Sequence, residues 1–224
     1  MAWQRGWPTA AVAASGRTDP SLTHVCEGKL AREPGDRREI ILEAAAALFA
    51  RKGVSATTVR QIADEVGILS GSLYHHFDSK EAMVDEILSS YLRDIKERYA
   101  KVLAQETDAR ARLHALVLAS LEVVEAHPHA TEIYQNDVNY LLGIERFSYL
   151  RSAGRYVQET WLKVIEAGVA EGVFRKDLDT KIVYRLMRDA VWLSVRWFKP
   201  SKGYSTAKLA EEITALFLDG LTAR

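Results

Sequence analysis

Residues 57–81 read TTVRQIADEVGILSGSLYHHFDSKE. The stretch divides into two short helical runs on either side of Val66-Gly67-Ile68. Thr57 or Thr58 is placed to cap the first run, in which Val59, Ile62, Ala63 and Val66 share an inward face. Gly67 ends it and permits the tight turn from which a second helix projects, as in a helix-turn-helix. That second run, Ser70–His76, turns Leu73 and Phe77 inward and leaves Ser70, Ser72, Tyr74 and His75 facing out. Short hydroxyls and planar rings reach base edges or phosphates at little entropic cost, and Gly71 allows the backbone to come close. Asp78 or Ser79 caps the next helix, where Lys80 is placed to neutralise a phosphate beside backbone N–H groups. The candidate DNA contacts are Thr58, Arg60, Ser70, Gly71, Ser72, Tyr74, His75, His76 and Lys80. The bland alternative is a polar surface on a short helix.

Bulk charge gives such a surface no help. The 224-residue chain has 30 Lys+Arg against 30 Asp+Glu, a formal net charge of zero. Between residues 37 and 80 the cations Arg37, Arg38, Arg51, Lys52, Arg60 and Lys80 are nearly matched by Glu39, Glu43, Asp64, Glu65 and Asp78. DNA binding then has to come from geometry and a few placed cations. The 48% hydrophobic content is enough to fill a globular core. One cysteine, Cys26, excludes an internal disulfide framework and fits a reducing compartment. No apolar run approaches the ~18 residues of a membrane span, and the N-terminus has no apolar stretch long enough for a signal peptide. The expectation is a cytoplasmic protein with no membrane partner.

Outward from the opening stretch, residues 1–33 are rich in Ala, Gly, Ser, Thr and Pro without a helical period and read as a disordered segment. From Asp36 helical signals dominate: Ile40, Ile41, Ala44, Leu48 and Phe49 share a face, and Gly53 supplies a C-cap. Beyond the helix that starts near residue 80, helices are expected at about 106–126, 128–141, 145–171, 179–198 and 205–222. Pro128 suits a first turn, Gly143 and Gly172 suit breaks, Asp179 a cap and Lys199-Pro200 a stop. No segment reads as a strand. The expected fold is all-α with about nine helices: a three-helix helix-turn-helix domain over residues 34–81 and a ligand-binding and dimerisation bundle over residues 82–224.

In the bundle, residues 184–198 read YRLMRDAVWLSVRWF. Helical spacing places Arg185, Arg188, Trp192 and Arg196 on one stripe and Tyr184, Met187, Val191, Val195 and Phe198 on an apolar one. Each like-charged pair on an exposed helix costs on the order of 0.2–0.5 kcal/mol, so the arginines need anions. Two sources are open: acids such as Asp179, Asp189 or those of a partner subunit, or a ligand with a flat apolar body and a phosphate-bearing tail. The last helix carries Leu209, Ile213, Leu216, Phe217 and Leu221, a wide apolar stripe that either the monomer core or a dimer interface would bury. His75-His76 make a poor metal site, since adjacent helical residues point apart, His127-Pro128-His129 is similarly weak with a surface loop at a helix start as its other reading, and no metal is expected.

Residues 57–81 resemble the signature of the TetR family of bacterial one-component repressors, T-T-V-R-x-I-A-x-x-A-G-V-S-x-G-x-L-Y-x-H/Y-F-x-S-K-E. Leu69 stands where the family usually has a capping serine, and Ser70 where a lysine or bulkier residue is common; the cap is expected to shift to Ser70 and one phosphate contact to be lost. The resemblance implies a homodimer that binds a palindromic operator and carries a ligand pocket in each C-terminal bundle. Ligand binding spreads the reading heads, whose half-sites lie about 34–36 Å apart, and releases the DNA. Dimerisation would use helices at about 179–198 and 205–222 as a four-helix bundle with their mates.

The runs GILSGSLYHHF-x-SKE-x-MVDE, IYQND, RFSYL, EGVFRKDLD and VYRLMRDAVWLSVRWF, spread over about residues 37–222, are similar to the actinobacterial TetR-type repressors of late cholesterol catabolism. That similarity implies control of genes that degrade the steroid C and D rings. The implied effector is a coenzyme A (CoA) thioester of a steroid-derived bicyclic acid, with no further cofactor. It gives Arg188 the diphosphate and Trp192 the alicyclic body; Arg196 joins the phosphate role on spacing. Tyr134, Phe147 and Trp161 are candidates for the cavity wall, with ordinary core as their other role. Competing readings are a TetR-type repressor of another acyl-CoA or hydrophobic ligand, a DNA-binding scaffold without ligand, and a helical-bundle enzyme acting on CoA thioesters. For the enzyme, no Ser-His-Asp order with local support and no Gly-rich phosphate loop is present.

Overall fold

The computed structural model describes residues 34–105 and 108–220. The expectation for residues 1–33 lies outside the described residues, as does Leu221. The described residues are all-α: α1 Pro34–Lys52, α2 Val59–Glu65, α3 Ser70–Leu73, α4 Lys80–Gln105, α5 Ala109–Ala126, α6 Pro128–Leu141, α7 Tyr149–Ala170, α8 Thr180–Trp192 and α9 Thr206–Asp219. Their one β-bridge pairs Ser201 with Tyr204. None of their helices is long and apolar enough to cross a membrane.

Local chemistry sets the ends of these helices. Thr58 Oγ1 accepts from the Gln61 N–H while Gln61 Oε1 accepts from the Thr58 N–H, a complete capping box for α2. Gly67, at φ +68°, reverses the chain after α2, a conformation that favours glycine. Ser79 Oγ caps α4 by accepting from Ala82, and Asp108, Asp179 and Ser205 cap α5, α8 and α9. Ile41, Phe49, Ile62, Leu73, Phe77 and Met83 join α1–α4 through one buried core. In the bundle α5 lies in the middle, packed against α4, α6, α7, α8 and α9. It is apolar nearly all round, as a surrounded helix must be. A Cβ on Gly168 would stand 2.3 Å from the Phe174 ring, so glycine there lets Phe174 fold back onto α7.

Three expectations change. The run Ser70–His76 is a single α-turn: His75 and His76 donate three residues back, to Ser72 and Leu73, and this tightening carries Phe77 into the core. The cap does not move to Ser70; Leu69 is the N-cap and contributes no side-chain hydrogen bond. The helices expected at 145–171 and 179–198 each include a 3₁₀ segment, Glu145–Phe147 before α7 and Leu193–Arg196 after α8. The second of these breaks the arginine stripe, because Arg196 no longer follows Trp192 in α-helical register.

Candidate DNA-reading surface and effector site

α3 and the turn that follows it present Tyr74 and His75 exposed, with Ser70, Ser72 and His76 half-buried. A Cβ on Gly71 would meet nothing within 4 Å, so the fold itself does not require glycine there. Thr58 and Arg60 are exposed beside them, Arg60 3.9 Å from Asp64 in a weak surface pair. Lys80 is spent internally: its ammonium donates to the carbonyls of Val54 (2.8 Å) and Thr57 (3.0 Å), tying the α1–α2 loop to α4. Arg37 donates to the Val66 carbonyl at the end of α2. Arg38 stacks on Phe77 while pairing with Glu86. Several of the cations counted in the sequence therefore brace the domain rather than face outward. Leu69 is the unforeseen element, a leucine 79% exposed at the start of α3.

In the bundle, Trp192 is buried, not part of an outward stripe. Its ring meets Tyr91 of α4 edge-on at 6.2 Å, and Tyr91 in turn meets Tyr134 of α6 at 6.0 Å and His127 at 6.1 Å. Burial pushes the Tyr91 and Tyr134 hydroxyls above the usual tyrosine range, so both stay neutral. Arg188 and Arg196 remain at the surface. Arg188 pairs with Asp189 at 2.7 Å, one of the acids the sequence offers as its partner, and Arg196 donates to Asn136 Oδ1 at 3.1 Å. Arg185 is likewise exposed. Tyr91 was absent from the sequence-derived site, and its only signal was a place on the inward face of α4. Phe147 and Trp161 are fully buried. The Trp161 indole N–H donates to Tyr99 Oη (2.7 Å), which bonds Ser120 Oγ (2.6 Å), which donates to the Leu116 carbonyl. With Ser120 donating to Leu116, Tyr99 is the donor to Ser120, and the chain runs in one consistent direction.

Helix α6 carries Tyr134 and Asn136 toward this site and packs its other side on α1. On that side lie two buried polar atoms without a hydrogen-bond partner, His129 Nδ1 and Asp137 Oδ2. The Asp137 carboxylate stands against Gly53, 3.4 Å from where a Cβ would sit. Burial raises its pKa, partly offset by the Val54 N–H. A carboxyl that binds its proton more tightly when folded costs stability once ionised. That cost is absent below the unfolded value, roughly pH 4, and complete above the folded one. Asp137→Asn is therefore expected to raise the melting temperature at pH 7 and to lose the advantage as pH falls to about 4. Thermal melts at both pH values check this; an undiminished gap at the lower pH would contradict it.

Two family patterns match the chain. The one described as "Bacterial regulatory proteins, tetR family" covers residues 41–87, and "Tetracyclin repressor-like, C-terminal domain" covers residues 106–221. The HTH-type transcriptional repressor KstR2 of Rhodococcus jostii is 47% identical over 187 residues, 84% of this chain and 92% of the relative. KstR2 of Mycobacterium tuberculosis is 42% identical over 194 residues, 87% of this chain and 97% of the relative. The solved structure of the ketosteroid transcriptional regulator KstR2 of Mycobacterium tuberculosis superposes with a TM-score of 0.77 at 43% identity, covering 84% of this chain and 96% of that one.

Proposed function

This chain belongs to the tetR family of bacterial regulatory proteins, and from that premise we propose that it represses genes of steroid catabolism as a homodimer. It leaves its operator when a CoA thioester of a steroid-ring acid binds between α4, α6 and α8. It is a transcriptional repressor of the family and not an enzyme, as its KstR2 relatives are named repressors. The observation that carries the effector reading is one juxtaposition. A neutral aromatic cluster of Trp192, Tyr91 and Tyr134 is served by the same two elements as two surface guanidiniums: Arg188 stands one turn before Trp192 on α8, and Arg196, just past α8, bonds Asn136 two residues from Tyr134 on α6. Rings offer flat apolar contact to an alicyclic body, and guanidinium forks bind phosphate oxygens in pairs. The Asp189 and Asn136 contacts of these arginines are surface contacts of the kind that exchange cheaply for a diphosphate.

The dimer reading draws on a different face. Leu209 and Ile213 are covered within the monomer, so the apolar stripe of α9 is largely core. What stays exposed is Ile182 and Leu186, one turn apart on α8, and Trp197 and Leu216, which line one surface depression together. Exposed apolar side chains on α8 and α9 suit a self-complementary interface. In such a dimer α6 touches both the effector site, through Tyr134 and Asn136, and the reading head, through Asp137 at Gly53, as α4 does through Tyr91 and Lys80. A ligand that takes Arg196 from Asn136 pulls on the same helix that bears on the α1–α2 loop.

Arg188→Ala tests the effector site. One charge-assisted interaction is worth about 1.5–3 kcal/mol, so the steroid-acyl-CoA concentration that releases operator DNA should rise roughly 10- to 100-fold. Operator affinity without ligand should stay within about twofold. Fluorescence anisotropy on labelled operator gives both numbers. Equal loss of operator and effector binding would show that Arg188 serves the fold, and an unchanged release curve would remove it from the site.

A further inference from the structure

We propose that Leu69 reads the 5-methyl group of a thymine in each operator half-site; this rests on the repressor reading above. Leu69 is 79% exposed and sits as N-cap of α3 with extended backbone, φ −70° and ψ 141°. Its side chain makes no capping hydrogen bond, where a serine, threonine or asparagine would stabilise the helix. The flanking helices α2 and α4 each begin on a capping hydroxyl, Thr58 and Ser79. The leucine forgoes the capping bond and leaves most of its side chain open to a binding partner of the reading head. It lies at the leading end of the helix that carries Ser70, Ser72 and Tyr74, and the first residues of a recognition helix are those that meet base edges. In the major groove the apolar feature of the base edges is the thymine methyl, which cytosine lacks. The serines beside Leu69 supply hydrogen bonds that any base satisfies, so the leucine is the element that discriminates.

A uracil scan tests the assignment. The operator is located by footprinting on the chain's own upstream DNA, and each thymine is replaced by deoxyuridine symmetrically in both half-sites. Removing one buried methyl is expected to weaken binding about 4-fold per half-site, roughly 15-fold for the dimer, at one thymine position. Leu69→Ala and Leu69→Ser should bind the natural operator more weakly by a similar factor and show no further loss on deoxyuridine at that position. Leu69→Ser regains a cap and should melt no lower than the natural protein, which separates recognition from folding. A natural protein indifferent to every thymine methyl, or variants that keep the full deoxyuridine penalty, would overturn the assignment while leaving the repressor reading intact. Failure to bind any upstream fragment would overturn both.

Discussion

Tyr74→Ala is expected to weaken operator binding roughly 30- to 700-fold while leaving the fold untouched. Tyr74 is 53% exposed at the end of α3, where Leu73 and Phe77 on either side hold the backbone. Removing an exposed side chain of this kind changes stability within about 0.5 kcal/mol. On DNA the same ring and hydroxyl are proposed to make one polar contact and one apolar contact, together about 1–2 kcal/mol. The proposed dimer would lose them twice, about 2–4 kcal/mol in all, which sets the factor quoted. The near-neutral surroundings make the loss hard to recover. Lys80 is engaged with Val54 and Thr57, Arg37 with Val66 and Arg38 with Glu86, so few cations remain to hold the complex non-specifically. Mobility-shift titration and a thermal melt on the same sample give the answer. Unchanged operator affinity would mean that α3 does not enter the groove as described.

Trp161→Ala carries the largest expected effect on stability. The indole is fully buried in α7 and donates to Tyr99, whose hydroxyl passes the bond to Ser120 and on to the Leu116 carbonyl. Truncating a buried tryptophan costs about 3–5 kcal/mol through lost transfer energy and the cavity left behind. For a chain of this size that lowers the melting temperature by roughly 6–20 °C. Trp161→Phe keeps most of the ring but leaves Tyr99 Oη without the donor it accepts, for about 1–3 kcal/mol. Differential scanning fluorimetry ranks the three proteins. A Trp161→Ala protein that melts with the natural one yet loses effector binding would make the indole a ligand wall instead.

These two residues mark what is legible from sequence. The exposure of Tyr74 is readable because it depends on neighbours one to four positions away: Leu73 and Phe77 go in, so Tyr74 goes out. The capping box of Thr58 and Gln61, the reversal at Gly67, the Ser79 cap and Pro128 at the start of α6 are readable for the same reason. The length of α3 was not, because bringing Phe77 to the core tightens the chain after Leu73, and the pull comes from α1 and α4. Nor was the arginine stripe, which assumed that α8 continues through Leu193 when the chain there narrows to a 3₁₀ segment. Lys80 has the right charge and position for a phosphate, yet two carbonyls from the α1–α2 loop take it first.

The sequence by itself determined an all-α chain whose residues 57–81 form a DNA-reading helix-turn-helix, because period, caps and glycine turns act over a few residues. Tertiary structure alone decided which of the suggestive side chains of the bundle are buried and what they touch. Trp192 lies under Tyr91, Trp161 bonds Tyr99 across 62 positions, and Asp137 rests against Gly53. Leu69, for want of any covering residue, stands open at the tip of the reading head. Burial is set by whatever distant helix packs on a face, and that partner is not encoded in the spacing of the face itself.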